Sequence, residues 1–390
     1  MSAAGDSGGT RSTAEPVPVT IVAHDVGSVG GMERQIAELA VRLRRRGHEV
    51  TVIARKCVLP RDSGVTFRRV RGPGRPFLIA YPWFLIAGSL ALRRHRSGVV
   101  QSTGSIVVNP VDTVAVHYCH CAYSAAPARP GRLYALYDWA VGVVERSSER
   151  WYVRRNPSAQ LVCVSEGVAE EVRDCFPAAA SRVVTIHNGV DVEEFAPGAA
   201  AAEGEALRAH LKLEPGALLA AFVGGDWERK GLAAAVAALA QAPEWHLAIA
   251  GNGPQRPYEQ LAASLGVSER VHWLGVRGDV RPVYAAADAF VLPSSYETFS
   301  LVTFEAAASG LPVIAGDVNG VRELITSGEN GYLVEPTAEL LAARLVALGA
   351  DPALRAAFGA AAREAASAFT WERMVAAHEE LFQRLGAARA

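Results

Sequence analysis

The sequence predicts an α/β protein made of two doubly wound halves, and three observations carry that expectation. At 390 residues the chain is long for one hydrophobic core and suggests two domains. Two apolar strand-like runs, Val17–Ala23 and Leu218–Val223, each end in a glycine turn and pass into a helix-like stretch. Hydrophobic residues make up 50% and charged residues 20%, the balance of a soluble globular chain.

The elements follow in order. Residues 1–16 are small and polar and are expected as a disordered tail. Val17–Ala23 is β-branched and apolar, with Gly27, Gly30 and Gly31 behind it. A helix begins near Met32 and carries Ile36, Leu39, Ala40 and Leu43 on one face until Gly47-His48 stops it. Val50–Ala54 then completes a βαβ unit with a glycine-rich first turn. Further strands are expected at Val99–Gln101, Thr113–Val116 and Leu161–Val164, with helical material at Tyr134–Arg154. A turn at His187–Asp191, then Pro197, Gly198 and an alanine-rich stretch, separates the halves. The pattern restarts at Leu218–Val223, with a helix from Leu232 and strands at His246–Ala250, His272–Leu274, Ala289–Leu292 and Val313–Ala315. Thr370–Leu385 is amphipathic, with Trp371, Met374, Val375, Leu381, Phe382 and Leu385 near helical spacing. The expected domains are residues 17–188 and 189–369, two Rossmann-like halves facing across a cleft, with a final helix at 370–390.

Composition narrows the function. A formal net charge of -1 lacks the basic footprint of a nucleic-acid binder. Met1–Glu15 has no apolar core for a signal peptide, and no run approaches the ~20 apolar residues of a spanning helix. Five cysteines, an odd number, point to a reducing cytoplasm.

The most informative pair is Glu297 and Glu305, in Tyr-Glu-Thr-Phe-Ser-Leu-Val-Thr-Phe-Glu. Ala289–Leu292 reads as a buried strand, so Glu297 falls on the loop at its C-terminal end and Glu305 in the early turns of the next helix. Ligands bind at that rim of open α/β sheets, where two carboxylates could grip the hydroxyls of a sugar or ribose. Acidic residues near a helix start also complement its dipole, so that reading stays open. Gly224-Gly225-Asp226-Trp227-Glu228-Arg229-Lys230-Gly231 is the second constellation. Two cations just ahead of a helix call for an anion: a diphosphate, or Asp226 and Glu228 within a solvated loop.

Glu-x7-Glu followed by Ala-x3-Gly-x-Pro-Val resembles the signature of retaining glycosyltransferases of GT-B family 4, and the likeness runs from Val17 across nearly the whole chain. It implies the GT-B fold, with the last helix crossing back onto the first domain. It implies that Glu297 lies against the donor sugar and Glu305 holds the ribose, with Phe299, Ser300 and Leu301 beside them. Arg229 and Lys230 resemble the end of the family's phosphate-binding Gly-x5-Lys-Gly loop that opens at Gly224. Many members carry Arg after the first glycine; here Gly225 stands there, and Arg229 is a candidate to supply the charge. Gly30-Gly31-Met32-Glu33 resembles an N-terminal Gly-Gly-x-Glu motif that meets donor phosphate or acceptor, though a plain tight turn would read alike. Gly251, with Val276 and Arg277, would let a nucleotide base approach the backbone. His117 sits where members place a histidine near the reacting sugar. Glu323 falls on a Gly-x-x-Glu element that caps either the donor pocket or a helix.

Two segments admit other readings. His117, Cys119, His120 and Cys121 could suggest zinc, but their spacing matches a tetrahedral site poorly. Phe77–Leu92 is apolar apart from Ser89 and is followed by Arg93-Arg94-His95-Arg96. It reads as a buried helix with a solvated end, or as a peripheral contact with the inner membrane face. The resemblance implies hexose transfer from a UDP- or GDP-sugar to a glycan, lipid-linked or small-molecule hydroxyl, with no cofactor and no metal required. A nucleotide-sugar 2-epimerase of the same fold and a non-catalytic nucleotide-sugar-binding protein are the rivals. Base, sugar, acceptor and oligomeric state are not legible. Acceptor contacts are expected in the loops Cys57–Pro76 and Ala122–Arg132.

Overall fold

The structure, a computed structural model, describes residues 16–28, 30–122 and 132–388. The expected tail, apart from Pro16, and most of the Ala122–Arg132 loop lie outside the described residues. The chain forms two compact units. The first falls within Met1–Cys163, Ala169–Ile186 and Glu372–Ala390; the second comprises Val164–Val168 and His187–Trp371.

The first unit is built on a seven-stranded parallel sheet in the order Thr66–Arg69, Val50–Ala54, Val19–Val22, Val99–Thr103, Thr113–Val116, Gln160–Cys163, Val183–Thr185. Val19 faces Val50 on one side and Val99 on the other, so the chain starts in the middle, winds outward, and then reverses. That reversal is a topological switch point, where the helices on either side diverge and leave a crevice beyond the C-terminal strand ends. The inner strands are continuous apolar runs because both sheet faces are covered.

Helix α1 (Gly31–Arg45) buries Ile36, Leu39, Ala40 and Leu43, the stripe its sequence spacing indicates. The C-terminal helix Trp371–Ala387 packs on this unit, burying Met374, Val375, Leu381 and Phe382. Glu379 takes Arg46 at 2.8 Å and His48 Nε2 at 2.8 Å, while Glu372 pairs with Arg42 and, at 2.9 Å, with Arg46. Helix α2 (Phe77–His95) is only half covered: Ala80, Tyr81, Phe84, Gly88, Ser89 and Leu92 are buried, whereas Ile79, Trp83, Ile86 and Leu90 are exposed. Helix α3 spans Arg132–Arg155. Among the described residues no single helix is long and apolar enough to cross a membrane.

The second unit repeats the plan with six parallel strands in the order Val271–Gly275, Trp245–Ala250, Leu218–Val223, Ala289–Leu292, Val313–Gly316, Gly331–Val334. Its switch point lies between Leu218–Val223 and Ala289–Leu292, paired through Ala220↔Ala289.

Candidate active site

The second switch point brings together the two constellations singled out in the sequence. The Gly224–Gly231 loop leaves the end of Leu218–Val223, and the loop bearing Glu297 leaves the end of its neighbour, Ala289–Leu292. Residues 67 positions apart thereby become contacts. Lys230 Nζ donates to Glu297 Oε1 at 2.6 Å, Arg229 reaches the same oxygen at 3.2 Å, and Ser294 Oγ donates to it at 3.0 Å. Among the described residues Glu297 Oε2 accepts no hydrogen bond, which leaves it for a ligand. Ser295 N donates to the Arg229 carbonyl at 2.8 Å and ties the loops together.

Glu297 and Lys230 are 8% and 9% exposed, so their charges are nearly out of water. Burial pushes the Glu297 carboxyl up, but the charges of Lys230 and Arg229 outweigh it and hold it below the usual carboxylate range. Burial likewise opposes charge on Arg229, yet Glu297 and Asp226 raise it further; Asp226 accepts from its Nε at 2.6 Å. The anion demanded by the two cations is therefore Glu297 together with Asp226. The helix Leu232–Ala238 behind them has only seven residues and contributes little dipole.

Glycines make the close packing possible. A Cβ at Gly224 would stand 2.7 Å from Lys230 Cε, and one at Gly251 would meet the Gly224 carbonyl at 1.9 Å. Gly225 has more room, with Asn252 O at 3.2 Å from a Cβ. Ser300 holds a left-handed backbone (φ 72°) at the start of the helix Leu301–Ala308, a strain of about 1–3 kcal/mol for a non-glycine residue. The first N–H groups of that helix have no i−4 carbonyl within it. Phe299 turns inward, stacked on Phe304 with centroids 4.0 Å apart, so it offers only its backbone. Glu305 is buried in this helix and accepts from Tyr284 OH at 3.1 Å. Val276 and Arg277 are exposed on the loop two strands from Leu218–Val223, roughly 10 Å along the rim at strand spacing.

Glu323 accepts from Glu166 N at 2.8 Å and pairs with His187, so it caps the start of helix α4 (Glu166–Cys175). Sequence reasoning passed over Trp227. Its Nε1 donates to the Gly224 carbonyl at 2.9 Å, its ring packs against Trp273 and Tyr258, and a Cβ at Gly253 would stand 2.5 Å from it. One large apolar side chain inside a polar glycine loop was the available signal.

Gly30, Gly31 and His117 belong to the first unit. Gly30 (φ 93°) caps α1, and a Cβ there would stand 2.1 Å from Glu33 Oε2, so the glycine gives Glu33 room over the helix start. His117 helps line an apolar cavity of about 290 Å³ at the first switch point, with His24, Tyr81, Ser105, Glu149 and Tyr152. Burial, then the neighbouring His378, lowers the His117 pKa to about 4; burial brings His24 and His378 to about 4 as well. His117 is therefore neutral near pH 7 and can hydrogen-bond but not supply charge, and among the described residues its Nε2 has no partner. Among the described residues no three His, Cys, Asp or Glu side chains gather to hold a metal ion.

These features agree with comparisons to known proteins. The family model for glycosyl transferases group 1 matches residues 204–365, and that for glycosyltransferase family 4 matches residues 29–194. A D-inositol 3-phosphate glycosyltransferase of Mycolicibacterium gilvum is 31% identical over 379 residues, covering 90% of this chain and 83% of that protein. An uncharacterized glycosyltransferase of Methanocaldococcus jannaschii is 30% identical over 335 residues, covering 79% and 82%. Among solved structures, WaaG, a glycosyltransferase involved in lipopolysaccharide biosynthesis, superposes with TM-score 0.73 at 22% identity over 90% of this chain and 95% of its own. Anabaena HepE in complex with UDP-glucose gives 0.72 at 20% identity, covering 93% and 98%. The chain belongs to the group 1, family 4 glycosyltransferases and has their GT-B fold.

Proposed function

We propose that the chain moves a hexose-type sugar from a nucleoside diphosphate sugar to a hydroxyl with retention at the anomeric carbon. The observation that carries this reading is the single Glu297 oxygen bound by Lys230, Arg229 and Ser294, with the other oxygen left over. When the bond from the anomeric carbon to the diphosphate breaks, negative charge grows on the leaving group. A new C–O bond forms to the acceptor, whose proton passes to the diphosphate. Arg229 and Lys230 are fixed in advance to meet that charge, so no divalent cation is required. Glu297 Oε2 would orient the donor sugar, Glu305 the ribose, and the Val276-Arg277 loop the base. Neutral His117 would hydrogen-bond on the acceptor side.

The test incubates the purified chain with UDP-, GDP- and ADP-sugars, a panel of hydroxyl acceptors and a chelator, and reads the product anomer by NMR. Transfer from one donor with the donor's own anomeric configuration supports the reading. An inverted product, or transfer that a chelator abolishes, contradicts it. Isomerisation of the donor sugar without an acceptor would favour an epimerase.

A further inference from the structure

We propose that the first unit docks on an anionic lipid bilayer through the bare face of α2. At about 100° per residue, Ile79, Trp83, Ile86 and Leu90 fall on one narrow stripe, opposite the buried Tyr81, Phe84, Gly88 and Leu92. The four are 51–64% exposed and run for roughly 16 Å along the axis. Arg93 and Arg94 continue the same face one turn on, and Trp83 donates its indole N–H to the carbonyl of Arg71. Phe77 N, on the covered side of α2, donates to Tyr137 OH at 3.0 Å and ties the start of the helix to α3, which leaves the stripe itself bare.

Charge decides what covers this face. Thr66–Ser97 holds seven arginines and no acidic residue, in a chain of net charge -1. Among the described residues only Arg96 of the seven forms an ion pair, with Asp112 at 3.8 Å. A second copy seated here would bring the same seven cations against these, because a two-fold interface sets a patch against itself. A bilayer rich in anionic lipid satisfies both features: the apolar stripe with Trp83 enters the acyl boundary while the arginines meet the headgroups. The helix lies in the interface plane, since its apolar run stops at Leu92 before the basic end and is not long enough to cross.

The experiment pellets the full chain with vesicles of phosphatidylcholine alone or with one part in three phosphatidylglycerol. The wild-type chain is expected to pellet with the anionic vesicles only, and to be released as salt is raised. Arg93→Gln with Arg94→Gln should weaken partitioning about 25-fold at low salt, near fivefold per arginine. Ile86→Glu with Leu90→Glu, both at exposed positions, should abolish binding with an unchanged thermal melt. Leu340→Glu with Val346→Glu, exposed in the second unit, should bind as wild type. Failure to pellet, equal binding to neutral vesicles, or α2 variants that bind like wild type would overturn the proposal. So would a lipid-free dimer that the Ile86→Glu, Leu90→Glu variant dissolves, since the face would then belong to a second copy.

Discussion

The two units share a winding order and differ in what they place at the switch point. Beyond the second, Lys230, Arg229 and Glu297 form a nearly buried cluster of full charges. Beyond the first lies an apolar cavity with histidines that burial keeps neutral. The surfaces differ as well: eleven of the fifteen large hydrophobic side chains exposed among the described residues belong to the first unit. The fold therefore fixes where ligands meet each unit, and a few loop residues decide which chemistry they meet. The second unit offers paired full charges at its rim, and the first a largely apolar lining with neutral histidines.

Substitution at the charged cluster should divide the units most sharply. Glu297→Gln is expected to lower transfer by about 10²–10³-fold. It should bind free UDP at least as tightly as wild type, because the two cations lose the carboxylate that competes with the diphosphate. A loss of UDP affinity parallel to the loss of transfer would break the assignment. Trp227→Ala comes next, at about 3–5 kcal/mol from the cavity left under Gly224 and Gly253. Calorimetry should show that destabilisation in the second unit, with vesicle binding by the first unchanged.

Acid should affect the first unit through its histidines. A histidine lowered from 6.5 to about 4 binds its proton more readily when unfolded, so stability is present above pH 6.5 and drains away between 6.5 and 4. Each costs about 1.4 kcal/mol per pH unit across that window. His272 in the second unit is also lowered to about 4, so that unit shares part of the effect. Glu297 adds its own loss only as pH falls below the ordinary carboxylate range, toward its lowered value. His378→Gln should flatten the acid slope of the first unit by one such increment in fluorescence-monitored unfolding; an unchanged slope would sink the account of its burial. The smallest effect is expected at Ser300→Gly, where relief of the left-handed strain is offset by the lost hydrogen bond to Thr303 Oγ1 at 2.8 Å and by the looser unfolded chain. The melting temperature of the second unit should move by no more than about 2–4 °C; a larger drop would show that the backbone there is not strained.

Much of this was legible in the sequence because it rests on local signals. Apolar runs closed by glycines marked the inner strands, and Glu-x7-Glu with the Lys230 loop marked the rim. Other features depend on distance in sequence. Thr66–Arg69 is a fully exposed edge strand without alternation, so no periodicity announced it. That Glu297 neutralises both cations follows only from the pairing of Leu218–Val223 with Ala289–Leu292. Phe77–Leu92 admitted both a buried helix and a membrane contact, because the helix buries one face and leaves an apolar stripe bare on the other. The inward turn of Phe299 depends on Phe304 and Phe369, the latter seventy residues away.

The most direct test of the central claim is a calorimetric titration of UDP, without added metal, into the wild-type chain and into Lys230→Met. The account expects micromolar binding to the wild type and binding at least a hundredfold weaker, about 2.7 kcal/mol, to the variant. Equal affinity in the two would contradict it, because the diphosphate would then be held somewhere other than the Lys230–Glu297 cluster.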